Sequence, residues 1–156
     1  MELKIVFGIF AGVTLLVGFF PYIRDVFQRK TKPHIYTWLI WSITQSTALA
    51  ALLYGAGGFF AGAGIASGVL LTIIVFFLSF KYGTKNITVT DTIALIVALA
   101  AILVWWQLDS PLLAVIMVSA IDGVGYFPTY RKSWDEPWSE TISFWCLFTA
   151  GNFFAF

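Results

Sequence analysis

The chain has 156 residues, of which 60% are hydrophobic and only 11% charged, with a net charge of +1. Together with a mean hydropathy of +0.88, this excludes an ordinary soluble domain and leaves no electrostatic case for nucleic acid. The single cysteine, Cys146, excludes an internal disulfide, and one histidine with one cysteine cannot supply a metal ligand set.

The first predicted helix runs from about Leu3 to Phe27, with no charged residue between Ile5 and Ile23. No small-x-small cleavage site precedes Pro21, so this reads as a retained span rather than a signal peptide. Gly8 and Gly12 share a face, and Pro21, late in the helix, removes a backbone hydrogen bond and permits a kink. The loop from Gln28 to Pro33 carries Arg29, Lys30 and Lys32. A second helix is predicted from about His34 to Tyr54, then a tight turn at Gly55-Ala56-Gly57-Gly58. The third, about Phe59 to Phe80, opens with Gly62, Gly64 and Gly68. Small residues let backbones approach closely in a membrane, so this helix is expected to touch both earlier ones.

No charge interrupts the chain from Ile35 to Phe80, and about 20 apolar residues suffice to cross a bilayer. A polar connector, Lys81 to Asp91, leads to a fourth helix from about Thr92 to Leu108. Asp109-Ser110-Pro111 caps a fifth helix, with proline at a permitted first-turn position, which runs to about Tyr130. After the mixed-charge loop Lys132–Pro137, a sixth helix starts near Trp138 and reaches Phe156. Cys146, inside that last apolar run, reads as a small buried hydrophobe. His34 and Trp38, near a charged loop, read as interfacial side chains.

Basic residues cluster after helices one, three and five and are missing from the turns after helices two and four. By the positive-inside rule the N-terminus is outside, and the charged loops are cytoplasmic. The glycosylation triplet Asn86-Ile87-Thr88 then faces the cytoplasm and carries no meaning. The compact chain suggests a prokaryotic inner membrane.

One stretch is written twice. Gly18-Phe19-Phe20-Pro21-Tyr22-Ile23-Arg24 returns as Gly125-Tyr126-Phe127-Pro128-Thr129-Tyr130-Arg131. Each copy leads to a second proline, Pro33 or Pro137, followed at identical offsets by Thr37 and Trp41 or by Thr141 and Trp145. Such self-similarity points to internal duplication. Helices one and five start on the same side, so the two units are parallel repeats, a plan used by some transporters with a site between the halves.

Two three-helix units joined by one linker helix resemble the SWEET and PQ-loop transporter superfamily. The resemblance rests on Phe20-Pro21 and Phe127-Pro128, on Pro33 with Trp41 and Pro137 with Trp145, on the lone linker helix and on the glycine-rich third helix. It implies an all-α membrane protein divided into a first bundle (1–82), a connector and linker helix (83–109) and a second bundle (110–156). The second bundle lacks its last helix, since six helices are present and the plan has seven. The family's Pro-Gln dipeptide is replaced by Pro21-Tyr22 and Pro128-Thr129. The third helix carries Ser67, Thr72 and Ser79 but not the asparagine of the sugar carriers. The implied function is movement of a small polar solute, sugar-like or another metabolite, by alternating access, with Pro21 and Pro128 as hinges. The same plan also serves non-transporting receptors and assembly subunits.

Candidate solute-binding residues are Gln45, Trp41, Asp122, Trp145, Thr149 and Asn152. Asp122, midway along the fifth helix, has two readings. A carboxylate at that depth is costly, so it is either a protonation site coupling protons to the solute or a hydrogen-bonded link to a neighbouring helix. Gln45 and Asn152 are pocket amides or interhelical bonds. Trp41 and Trp145, equivalent by repeat, are a stacking platform or membrane anchors. Expected partners are the solute, the bilayer, protons at Asp122 and further copies of the chain, without nucleic acid. No cofactor is expected, and no nucleophile–base pair or phosphate loop suggests an enzyme.

Overall fold

Apolar stretches interrupted by proline only at Pro21 and Pro128 fold as six α-helices in the computed structural model, which describes residues 2–54, 59–107 and 111–154. These are α1 (Glu2–Phe27), α2 (Ile35–Tyr54), α3 (Phe59–Tyr82), α4 (Val89–Trp105), α5 (Pro111–Asp135) and α6 (Ile142–Phe154), with a short 3₁₀ turn at Pro137–Ser139. The expected turn at Gly55–Gly58, the Asp109-Ser110 cap, and the surroundings of Gly8, Gly62 and Gly64 lie outside the described residues.

The loops after α1, α3 and α5 meet at one end. Lys32 N–H donates to the Ser139 carbonyl at 3.0 Å and Thr84 N–H to that of Pro33 at 3.1 Å. The Arg131 guanidinium reaches the Asn86 carbonyl at 2.7 Å. The charges that the sequence confines to loops are therefore gathered into one layer, the charged end.

Between the helices, α1 lies on α6, α2 on α3 and α5, and α4 on α5 and α2. Helix α3 touches both α1 and α2. At Gly68 an added Cβ would sit 3.4 Å from Gln45 Oε1, an ordinary contact distance, so α3 and α2 lie close together there. The core is aromatic: Tyr22, Trp38 and Phe144 are fully buried, with Phe19 and Trp41 nearly so. A Cβ on Gly125 would lie 2.8 Å from Trp41 Nε1 and 3.2 Å from Ile40 Cγ2. One on Gly18 would lie no closer than 3.3 Å to Leu147 and 3.6 Å to Phe144. Gly125→Ala should therefore cost about 1–3 kcal/mol by overpacking, and Gly18→Ala distinctly less. Paired thermal melts check this, and equal losses would refute it.

Three helix boundaries differ from expectation. α4 begins at Val89, because Thr88 and Asp91 form a reciprocal capping box that satisfies the first free N–H groups. α5 continues past Pro128 to Asp135, so Arg131 and Lys132 belong to a helix, not a loop. α6 starts at Ile142, since Pro137 opens a separate 3₁₀ turn and the backbone is extended at Glu140. Pro21 and Pro128 both lie inside continuous helices.

Among the described residues, one helical stretch, Ile65–Tyr82, is long and apolar enough to cross a membrane, with mean hydropathy 2.0. Helix α4 is apolar but shorter, at 17 residues. It turns Ile93, Ile96, Val97, Leu103 and Val104 outward.

Candidate functional site

Two features stand out: a cavity above the aromatic layer, and a buried polar network below it.

The repeat prolines precede segments whose tryptophans converge. Trp41 of α2 packs edge-on against Tyr126 of α5 at 4.6 Å and Trp145 of α6 at 6.1 Å, and stacks on Phe148 at 5.8 Å. Tyr22 of α1 closes the layer against Phe144 at 4.5 Å and Trp38 at 5.2 Å. Above it, a cavity of ≈110 Å³ lies between α1, α2, α3 and α6. Phe19 and Phe148 border it, Gln45 lines it, and the rest of the wall includes Leu15, Leu16 and Leu71 with the hydroxyl residues Ser67 and Thr72. A space of that size holds a few waters or a small molecule.

Trp41 and Trp145 thus form one aromatic platform, while Gln45 alone among the candidates lines the cavity. Asp122 is apart from it, where its Oδ1 accepts from Thr44 Oγ1 at 3.0 Å. The Asp122 carbonyl accepts from Trp41 Nε1 at 3.4 Å. Both bonds join α5 to α2. Thr149 and Asn152 occupy exposed positions on α6, and Asn152 donates to the carbonyl of Phe148 one turn back. Cys146 is exposed too, not buried. Sequence gives depth along a helix but not which face meets a neighbour.

At the charged end lies a network that the sequence reading missed. Lys132 is fully buried. Its ammonium pairs with Glu140 Oε1 and donates to the Lys32 carbonyl at 2.8 Å and the Ser139 carbonyl at 3.3 Å. Glu140 Oε2 accepts from Trp145 Nε1 at 3.0 Å. The Tyr22 hydroxyl faces the same carboxyl and accepts from Trp38 Nε1 at 3.2 Å. Trp38 is therefore a core residue, not an interfacial anchor, because its N–H has a buried partner. Burial pushes the Glu140 carboxyl up and the Lys132 ammonium down, and their mutual attraction opposes both shifts. Beside them, Thr141 Oγ1 donates to Asp25 Oδ2 at 3.1 Å and lies 2.5 Å from Thr31 Oγ1. The same closure recurs between Thr129 and Thr37, at 2.9 Å.

A second buried cluster ties α4 to α5. Asp91 accepts from Arg131 Nε at 2.8 Å and Nη2 at 2.9 Å, and from Thr88 N–H at 2.8 Å. Burial disfavours its charge, but the bonds from Arg131 and Thr88 outweigh this and hold its carboxyl below the usual range. His34 was expected at an interface and is instead fully buried. Its Nε2 lies 3.3 Å from Asp91 Oδ2, but neither ring nitrogen has a partner in hydrogen-bonding geometry. Burial lowers its pKa to about 4 despite the nearby carboxylate. The sequence signal for this cluster was available: Thr88 and Asp91 stand at capping-box spacing, and Arg131 repeats Arg24.

The described residues hold no group of three or more His, Cys, Asp or Glu side chains suited to a metal. Comparison with family models, curated proteins and solved structures returns no match.

Proposed function

We propose that the chain is an integral membrane carrier that moves a small solute by alternating access, on the two-unit plan it resembles in sequence. The observation that carries this reading is the ≈110 Å³ cavity that sets the Gln45 amide in a mostly apolar wall. It suits a compact solute with one or two polar groups better than a polyhydroxylated sugar, whose hydroxyls would lack partners there. Pro21 and Pro128 lie where each unit's first helix meets the charged end, and they serve as its hinges. The aromatic layer and the Lys132–Glu140 network close that end, which the basic residues assign to the cytoplasm.

The two-unit plan draws support from matched contacts. Gly18 faces Phe144, and Gly125 faces Ile40, where Phe144 and Ile40 hold equal places after Pro137 and Pro33. Trp41 touches its own counterpart, Trp145, as residues near a two-fold axis must. The groove between α5 and α6, lined by Tyr126, Thr129 and Glu140 among others, is where a helix equivalent to α3 would sit. The outward apolar residues of α4 and the α3 stretch support the membrane setting.

The test is solute binding by thermal shift in detergent, across amino acids, vitamins, small organic acids and sugars. A stabilising solute whose effect is lost in Gln45→Ala, with the unliganded melt little changed, is the expected result. Uptake of the same solute into liposomes should then fall with it. Asp122 favours a second reading, a non-transporting receptor or assembly subunit, because its carboxyl is bonded to Thr44 rather than facing the cavity. On that reading Asp122→Ala, which removes the acceptor for the Thr44 hydroxyl, costs about 0.6–2 kcal/mol and no solute shifts the melt. On the carrier reading with proton coupling, Asp122→Asn instead changes the pH dependence of uptake.

A further inference from the structure

We infer that the hollow at the charged end formed by Arg29, Lys32, Lys81 and Lys85 is a binding site for a phosphate-bearing anion. The hollow, ≈360 Å³, lies between the α1–α2 loop and the α3–α4 connector. Four cations line it against one carboxylate, Glu136, and that carboxylate is already engaged by Lys32 at 2.9 Å. Among the described residues no carboxylate lies within ion-pair distance of Arg29, Lys81 or Lys85.

Arg29 is held there at a conformational cost. α1 ends in a Schellman turn: Arg29 N–H donates to the Val26 carbonyl at 3.0 Å and Lys30 N–H to that of Asp25 at 2.9 Å. The residue at the left-handed position of such a turn is usually glycine, yet here it is Arg29, with φ 59°. A non-glycine residue there costs about 1 kcal/mol. Its guanidinium then sits 5.8 Å from the centre of the Tyr82 ring, and Lys81 Nζ sits 5.3 Å from the same centre. Phe27 fixes that ring edge-on at 5.5 Å. Two cations gathered around one aromatic ring repel each other, and an anion bound beside them relieves that repulsion.

The floor is fixed as well. A Cβ on Gly83 would lie 2.3 Å from the Ser79 carbonyl and 2.8 Å from that of Pro33, so only glycine lets the connector close on the α1–α2 loop. A guanidinium fork with several ammonium groups matches the tetrahedral, multiply charged oxygens of phosphate better than a single carboxylate. Two sources offer that chemistry: the headgroup of an anionic phospholipid and a soluble phosphate ester.

The experiment places the full chain in phosphatidylcholine nanodiscs, with phosphatidylglycerol added to the bilayer or pyrophosphate to the buffer. Melting temperature and native mass spectrometry are the readouts. Stabilisation by phosphatidylglycerol alone identifies a lipid headgroup, by pyrophosphate alone a soluble ester, and by both a site open to either. In each case Arg29→Gly and Lys81→Gln should weaken binding about ten-fold, and added salt should weaken it further. Arg29→Gly should leave the unliganded melt unchanged or higher, because it relieves the left-handed strain, so lost binding cannot be read as lost folding. If neither probe stabilises the wild type, or both variants bind as it does, the inference fails.

Discussion

Lys132→Met should destabilise the chain by about 3–5 kcal/mol, because it leaves the Glu140 carboxylate buried without its cation. For a chain of this size that corresponds to a fall of roughly 10 °C in melting temperature. Shape is nearly preserved, so the loss would be electrostatic rather than a cavity. The ammonium also caps the Lys32 carbonyl, whose loss of a donor adds to the cost, while the Ser139 carbonyl keeps the Lys32 N–H. The double variant Lys132→Met with Glu140→Gln should recover most of the loss, since a neutral amide still accepts from Trp145. Failure of that recovery would show that packing, not charge, is at stake.

The pH dependence of the Lys132→Met variant follows from the same carboxyl. Burial raises its pKa above the ordinary 4.5, so the folded state holds the proton more tightly than the unfolded one. Stability is then fully present below about 4.5 and is lost as pH rises through the higher folded value. Without Lys132 to oppose burial, the variant should melt highest in acid. A flat pH profile for the variant would contradict this.

Arg131→Met is the second large effect, at about 2–4 kcal/mol, less than for Lys132 because this guanidinium is partly exposed. It leaves Asp91 buried with only its capping bonds and loosens α4 from α5. His34 makes the outcome pH-dependent. In the wild type its pKa falls from 6.5 to about 4, so it stabilises the fold above about 6.5, and that contribution is lost as pH drops toward 4. The full swing is about 3 kcal/mol. Arg131 is one of the charges holding that pKa down, so its removal should let His34 protonate beside Asp91. The gap between variant and wild type should therefore narrow between pH 6.5 and pH 4. A constant gap in urea or thermal unfolding would exclude this coupling.

Helix number and order were legible in the sequence because uninterrupted apolar runs have few alternatives. The contact of α3 with both α1 and α2 was legible too, from small-residue spacing, and the convergence of Trp41 with Trp145 was one of the two readings the repeat allowed. What escaped was the face each side chain takes. His34 and Trp38 stand near a charged loop in sequence, yet both turn inward, one to Asp91 and the other to Tyr22. Thr149 and Asn152 have pocket chemistry, but their side of α6 is exposed. The charged loops hid the most: α5 outruns its proline by nearly two turns, and this carries Lys132 under the loops, where a lysine is least expected from composition.

An ammonium enclosed by one carboxylate and two carbonyls is also a chemical reporter. A neutral amine must reach solvent before an acylating reagent can capture it, so Lys132 should be modified only in molecules whose charged end has come apart. Its labelling rate, set beside that of exposed Lys30 in the same chain, would count those openings without any engineered label.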